Sequence, residues 1–208
     1  MSIRIAKVFI IIVLTMLISQ DAFSQDVNDF TKHLKDIVEK RESVQYAEMA
    51  EKSIDEGDLG MAIEYLNKAI DTLPSAGFYI KRGRLKAELN DLDGAIQDFT
   101  FAIELSPHYD HDKESLTYQF ALQADIEAYV LRGHVNTLAN KHIEAISDYS
   151  KAINLEPENP MNFYFRGHAY YTIAKYEEAC NDFNEVSANK LSEKNGVVIP
   201  DVIQEICR

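Results

Sequence analysis

The sequence predicts an all-α fold: an α-solenoid of four stacked helix pairs, with a helix before the first pair and a capping helix after the last. Three observations carry that prediction. Four segments align in phase at a period of 34 residues, namely 43–75, 76–109, 126–159 and 160–193. Fixed places in them hold small side chains and other fixed places hold large apolar ones. The first three segments also carry a proline at their thirty-second place, Pro74, Pro107 and Pro157. A period of this length is the mark of stacked supersecondary units.

Counting places from the start of each segment, place 8 is Ala50, Gly83, Gly133 and Gly167. Place 20 is Ala62, Ala95, Ala145 and Ala179. Small residues at both let two antiparallel helices approach closely. Place 4 holds Tyr46, Tyr79, Tyr129 and Phe163, and place 24 holds Leu66, Phe99, Tyr149 and Phe183. These large side chains fill the gaps around the contact. Place 27 is Ala69, Ala102, Ala152 and Val186. The proline lacks a donor and stops the second helix. One pair cannot bury its apolar face alone, so neighbours stack and share a core.

Composition agrees with a folded chain. Of 208 residues, 46% are hydrophobic and 26% charged, with five prolines, eight glycines and no low-complexity stretch. At the start, Arg4 and Lys7 precede an apolar run of 11 residues, Val8–Ile18, and then Ala22-Phe23-Ser24. That is the layout of a secretory signal peptide over 1–24. An uncleaved anchor is the alternative, but a bilayer span needs about 20 apolar residues, which favours cleavage. The Ala-Phe-Ser-Gln junction resembles signal peptides of Bacteroidetes-like bacteria, and an exported chain, periplasmic or secreted, is expected. No cysteine sits there to make a lipoprotein anchor. Removing Arg4, Lys7 and Asp21 leaves 19 basic and 33 acidic residues, a net charge of −14. That sign opposes binding to nucleic acid or to anionic lipid.

The elements follow in order. Residues 25–42 contain an amphipathic helix with Phe30, Leu34, Ile37 and Val38 on one side, expected to cap or extend the first repeat. Segment 110–125 is an insertion of 16 residues between the second and third repeats. Leu116, Phe120, Ala124, Ala128 and Leu131 recur mostly at steps of four, which predicts a lengthened first helix of repeat three; a separate short helix is the alternative. The C-terminal cap over 194–208 begins with a loop (Lys194, Asn195, Gly196); Pro200 then opens a short helix to Arg208, whose Val202, Ile203 and Ile206 would cover the last repeat.

Place 7 is Arg82, Arg132 and Arg166, and place 23 is Asp98, Asp148 and Asp182, 16 residues apart each time. In the first segment both change together, to Met49 and Tyr65. A joint change implies contact, and three structural Arg–carboxylate pairs are expected. Cys180 holds a place that is Ile63, Ile96 and Ile146 elsewhere, and Cys207 lies in the terminal helix. An oxidising compartment favours a Cys180–Cys207 disulfide over two buried thiols. His108 and His111 with Asp110 and Asp112 lack a recognised metal spacing and read as a solvated loop. Neither a metal site nor a cofactor is expected. No Gly-rich phosphate loop, nucleophile elbow, His-Glu-x-x-His or Cys-x-x-Cys is present, so nothing points to an enzyme.

The small, aromatic and proline places at this period resemble the tetratricopeptide repeat family over residues 43–193. The resemblance implies a non-catalytic adaptor that binds a protein or peptide in a concave groove lined by the first helices. Carried over, the groove residues are Lys81, Arg84, His134, Tyr164, His168 and Tyr171, with Ile80, Glu127, Val130 and Thr137 beside them. His134 and His168 share a place one repeat apart and are expected to line up along the groove. Chaperone-tail binders of the family place Lys and Asn where this chain has Ala47 and Glu51, so a carboxylate clamp is not indicated. The alternative is an accessory regulator of an envelope enzyme or transport machine, docking through 110–125. The partner's identity and any self-association are left open.

Overall fold

The computed structural model describes residues 3–105 and 115–188, together with 199, 204, 205 and 207; side chains are described from residue 25 onward. Eight helices follow one another among the described residues: α1 (Ile3–Asp55), α2 (Leu59–Thr72), α3 (Ala76–Glu88), α4 (Leu92–Glu104), α5 (Leu116–Leu138), α6 (His142–Leu155), α7 (Pro160–Thr172) and α8 (Tyr176–Ala188). They pack as the pairs α1/α2, α3/α4, α5/α6 and α7/α8, and each second helix packs on the next pair's first helix. The fold is an all-α tetratricopeptide-repeat solenoid.

The turn inside each pair has one design. Place 15 takes a left-handed conformation, with φ of 80° at Gly57, 62° at Asn90, 58° at Asn140 and 60° at Ala174. The next residue's N–H bonds back five residues: Asp58 to Ser53 O at 2.8 Å, Asp91 to Lys86 O at 2.8 Å, Lys141 to Asn136 O at 2.7 Å and Lys175 to Tyr170 O at 3.0 Å. This is the Schellman ending, which satisfies the last carbonyls of the first helix. Asp58 and Asp91 then cap the second helix by accepting from Met61 N and Gly94 N.

Place 8 exists to seat place 24. A Cβ added to Gly83 would lie 2.8 Å from the Phe99 ring, and one added to Gly133 would lie 2.7 Å from Tyr149. At Gly167 the nearest ring atom, from Phe183, would be 3.0 Å away. Repeat one makes the same contact with Ala50 against the smaller Leu66, both buried. The place-20 alanines are fully buried in all four pairs.

Three regions lie beyond the regular helix pairs. The N-terminal amphipathic segment extends the first repeat, one of the two expected arrangements: α1 runs unbroken through 27–42 into repeat one. Its apolar side is not covered, since Phe30 is 61% exposed and Leu34, Ile37 and Val38 are also exposed. Repeat one packs on the opposite side of α1, where Ser43, Ala50 and Ser53 are buried. Helix α2 has 14 residues, so it reaches back only about 21 Å along α1. In the insertion, α5 is 23 residues long against 13 for α3 and α7, a lengthened first helix with about three extra turns. Residues 106–114, including His108, Asp110, His111 and Asp112, lie outside the described residues. So do Pro200, Val202, Ile203 and Ile206 of the expected terminal helix.

Candidate functional site

Each of the three arginines stands at a crossing of two repeats. Arg82 donates Nε to Asp98 Oδ2 at 2.9 Å and Nη2 to Asp98 Oδ1 at 2.7 Å. Arg166 grips Asp182 the same way, at 2.9 and 2.7 Å. Arg132 reaches Asp148 through Nε at 3.1 Å and Nη2 at 2.7 Å. The fork-on-fork geometry matches the two planar groups. The remaining Nη1 reaches backward to the preceding repeat, to Asn67 Oδ1 at 2.7 Å, Thr100 Oγ1 at 2.9 Å and Ser150 Oγ at 3.0 Å. All three acceptors occupy place 25. Each guanidinium also lies over the place-4 ring of its own helix, 5.3 Å from Tyr79, 5.6 Å from Tyr129 and 5.7 Å from Phe163.

Sequence reasoning missed part of this network. Place 25 is short and polar in every case, which was the available signal. Place 11 supplies a further partner for the aspartate: Lys86 Nζ is 2.9 Å from Asp98, and Asn136 donates Nδ2 to Asp148 at 3.0 Å. The aspartates are nearly inaccessible, 1% for Asp98 and 4% for Asp148 and Asp182. Hydrogen bonding to Asp98 and to Asp182 raises the pKa of Arg82 and Arg166 above the ordinary arginine value. These groups are engaged within the protein and serve the stack.

The first helices carry the expected groove residues. Lys81 is bonded to Glu51 of α1, and Arg84 donates to Glu127 of α5 at 2.6 Å. Both cations therefore bridge neighbouring first helices. His134 and His168, one repeat apart, each meet other aromatic rings. Phe165 meets His134 edge-on with centroids 4.2 Å apart. Tyr164 and Phe183 meet His168 edge-on at 4.5 and 5.2 Å. Burial lowers the pKa of both imidazoles, which favours the neutral form. Their Nε2 atoms are buried with no hydrogen-bond partner among the described residues. Tyr171 packs edge-on against Tyr176 at 5.5 Å. Burial pushes the Tyr149 phenol up to about 12, against the opposing effect of its Thr137 contact.

The far end is closed covalently. Cys180 of α8 and Cys207 form a disulfide with Cα atoms 5.2 Å apart. Ile199 is buried on Ala179, Phe183 and Val186, with Cys207 and Tyr164 packed against the same cluster. The back of the groove is thus tied to the chain's last described residues. Among the described residues no helix is long and apolar enough to cross a membrane.

Comparison with known proteins agrees with this architecture. Residues 76–109 and 126–159 match the model of the Tetratricopeptide repeat family. The chain is 24% identical over 150 residues to a TPR repeat-containing protein, MJ1428, of Methanocaldococcus jannaschii, covering 59% of this chain and 26% of that protein. It therefore spans about a quarter of that relative's length. A solved tetratricopeptide repeat protein from Parabacteroides merdae superposes with a TM-score of 0.62 at 20% identity, covering 80% of this chain and 59% of the other. The first TPR of Spaghetti (RPAP3), bound to the HSP90 peptide SRMEEVD, superposes with a TM-score of 0.53 at 21% identity, covering 64% of this chain and 94% of that one. Two of its repeats thus match the tetratricopeptide repeat family, and its fold is that of a tetratricopeptide-repeat solenoid.

Proposed function

We propose that the chain is a non-catalytic interaction module of the cell envelope that takes an extended peptide or a helix along its first helices. One observation carries the reading. Val130 and His134 of α5 and Tyr164, His168 and Tyr171 of α7 are all half-buried, with Tyr164 edge-on to His168. Aromatic and imidazole groups of this kind are rigid anchors for a partner's apolar side chains. Folds of this type generally serve as interaction scaffolds, and the three arginine–aspartate groups of this one are spent on internal pairs. The HSP90-peptide complex of RPAP3 shows that such a fold accommodates a peptide. An acidic chain terminus is a poor fit here, because Glu51 and Glu127 lie on the same face and Lys81 and Arg84 are already paired with them. Export is supported by the apolar leader, and the Cys180–Cys207 disulfide fits an oxidising compartment.

A second reading keeps the envelope adaptor but moves the contact. Leu116 and Phe120 lie one turn apart on the extra length of α5, each 74% exposed. They offer a small apolar anchor beyond the stack, suited to docking on an enzyme or transport machine. A pull-down from envelope extract separates the two. Tyr164→Ala/Tyr171→Ala abolishes capture if the groove binds, and Leu116→Asp/Phe120→Asp leaves it intact. The opposite result moves the partner to the overhang. Retention by both variants overturns both readings.

A further inference from the structure

The uncovered stripe on α1 has a period and a symmetry that the groove does not explain. Val27, Phe30, Leu34, Ile37, Arg41 and Val44 follow at alternating steps of three and four residues. That is the seam of a two-stranded coiled coil, with Arg41 as its one polar member. All five apolar members are exposed. The helix uses its other side for repeat one, where Ser43, Ala50 and Ser53 are buried against α2. At about 100° per residue, the centre of the seam lies about 180° round α1 from the centre of that buried face. The repeat stack therefore leaves the seam free, and a partner helix would not meet α2.

The seam complements itself on reversal. An antiparallel partner centred between Leu34 and Ile37 sets Val27 against Val44, Phe30 against Arg41 and Leu34 against Ile37, and then the same three layers in reverse. This is the self-complementary patch that a two-fold axis requires. Reversal also resolves Arg41. A parallel pairing would set Arg41 on Arg41, like charge on like in the seam. The antiparallel one lays each guanidinium beside a Phe30 ring, where a cation is favoured. Val38, also exposed, widens the apolar strip on one flank. The flanking places hold only two residues with a fixed charge, Asp26 and Lys40, opposite in sign, so no row of like charges holds two copies apart.

We propose that residues 27–44 of α1 pair with the same segment of a second copy, antiparallel, making the chain a two-fold dimer with its two repeat stacks at opposite ends of the coil. The test is light-scattering mass of the purified chain with directed cross-linking. The wild type runs at twice the mass of one chain. Phe30→Asp/Leu34→Asp runs as a monomer with unchanged helicity, because both side chains are already exposed. No described cysteine is free, so introduced thiols report alone. Under oxidation, Val27→Cys mixed with Val44→Cys gives a covalent heterodimer, and Val27→Cys alone gives none. A monomeric wild type, a dimer indifferent to Phe30→Asp/Leu34→Asp, or a Val27→Cys homodimer overturns the proposal.

Discussion

Repeat one and the three repeats after it form the same helix pair with different chemistry. Repeats two to four carry an arginine and an aspartate where repeat one has Met49 and Tyr65. They also seat an aromatic ring on glycine, where repeat one seats Leu66 on Ala50. A helix pair therefore does not need the charged clamp. What repeat one lacks is a repeat before it. In the others the arginine's third hand reaches back to Asn67, Thr100 or Ser150 of the preceding repeat. The difference teaches that the clamp belongs to the junction between repeats, and the ring-on-glycine contact belongs to the pair.

The strongest way to break that distinction is to orphan one charge. Asp148→Ala strands Arg132 and Asn136 beside a buried hole, and about 3–5 kcal/mol of stability should go. Arg132→Met combined with Asp148→Tyr installs repeat one's solution. The double variant should lose less than Asp148→Ala alone, since replacing both members of a buried pair is far milder than removing one. Urea unfolding midpoints give both values.

The pair contact is tested at Gly133. Gly133→Ala pushes a methyl into Tyr149 and should cost about 1–3 kcal/mol. Adding Tyr149→Leu recreates the Ala50–Leu66 contact and should recover part of the loss. If the double variant is the sum of the singles, the two places do not share the contact.

A smaller effect depends on pH. Burial depresses the pKa of His134 and His168, so between the unfolded value of about 6.5 and the lower folded value the unfolded chain holds more protons. Stability is full above that window and falls as pH drops through it, by up to about 1.4 kcal/mol per pH unit for each imidazole. Thermal melts from neutral to mildly acidic pH should show the loss, and His134→Gln should flatten it. An equal slope in wild type and variant removes His134 from the account.

The smallest effect lies in the turns. Place 15 is glycine or asparagine in three repeats and Ala174 in the fourth, at a φ of 60° that strains an alanine. Ala174→Gly should stabilise repeat four by about 0.5–1 kcal/mol, read as a raised melting temperature. Gly57→Ala should move the other way.

Much of this was legible in the residues. The small and large places name the packed pair because they recur four times, and the joint change to Met49 and Tyr65 ties the arginine to the aspartate. Cys180 stands out because its counterparts are isoleucines. Other features were not legible, for physical reasons. Asn67, Thr100 and Ser150 share place 25, but they differ in chemistry and act on the arginine of the following repeat, so the column alone does not reveal what they bond. The stripe from Phe30 to Val38 reads as amphipathic whether or not anything covers it. His134 and His168 share a place, but the neighbouring rings decide what each one meets: Phe165 for His134, Tyr164 and Phe183 for His168.

The junction role of the clamp is tested most directly by a double-mutant cycle between Arg132 and Thr100, residues of different repeats. Unfolding free energies of the wild type, Arg132→Met, Thr100→Val and the double variant give their coupling. A coupling of about 0.5–1.5 kcal/mol is expected for a hydrogen bond across the repeat boundary. Strict additivity would contradict the account and return the arginine to a role within its own helix pair.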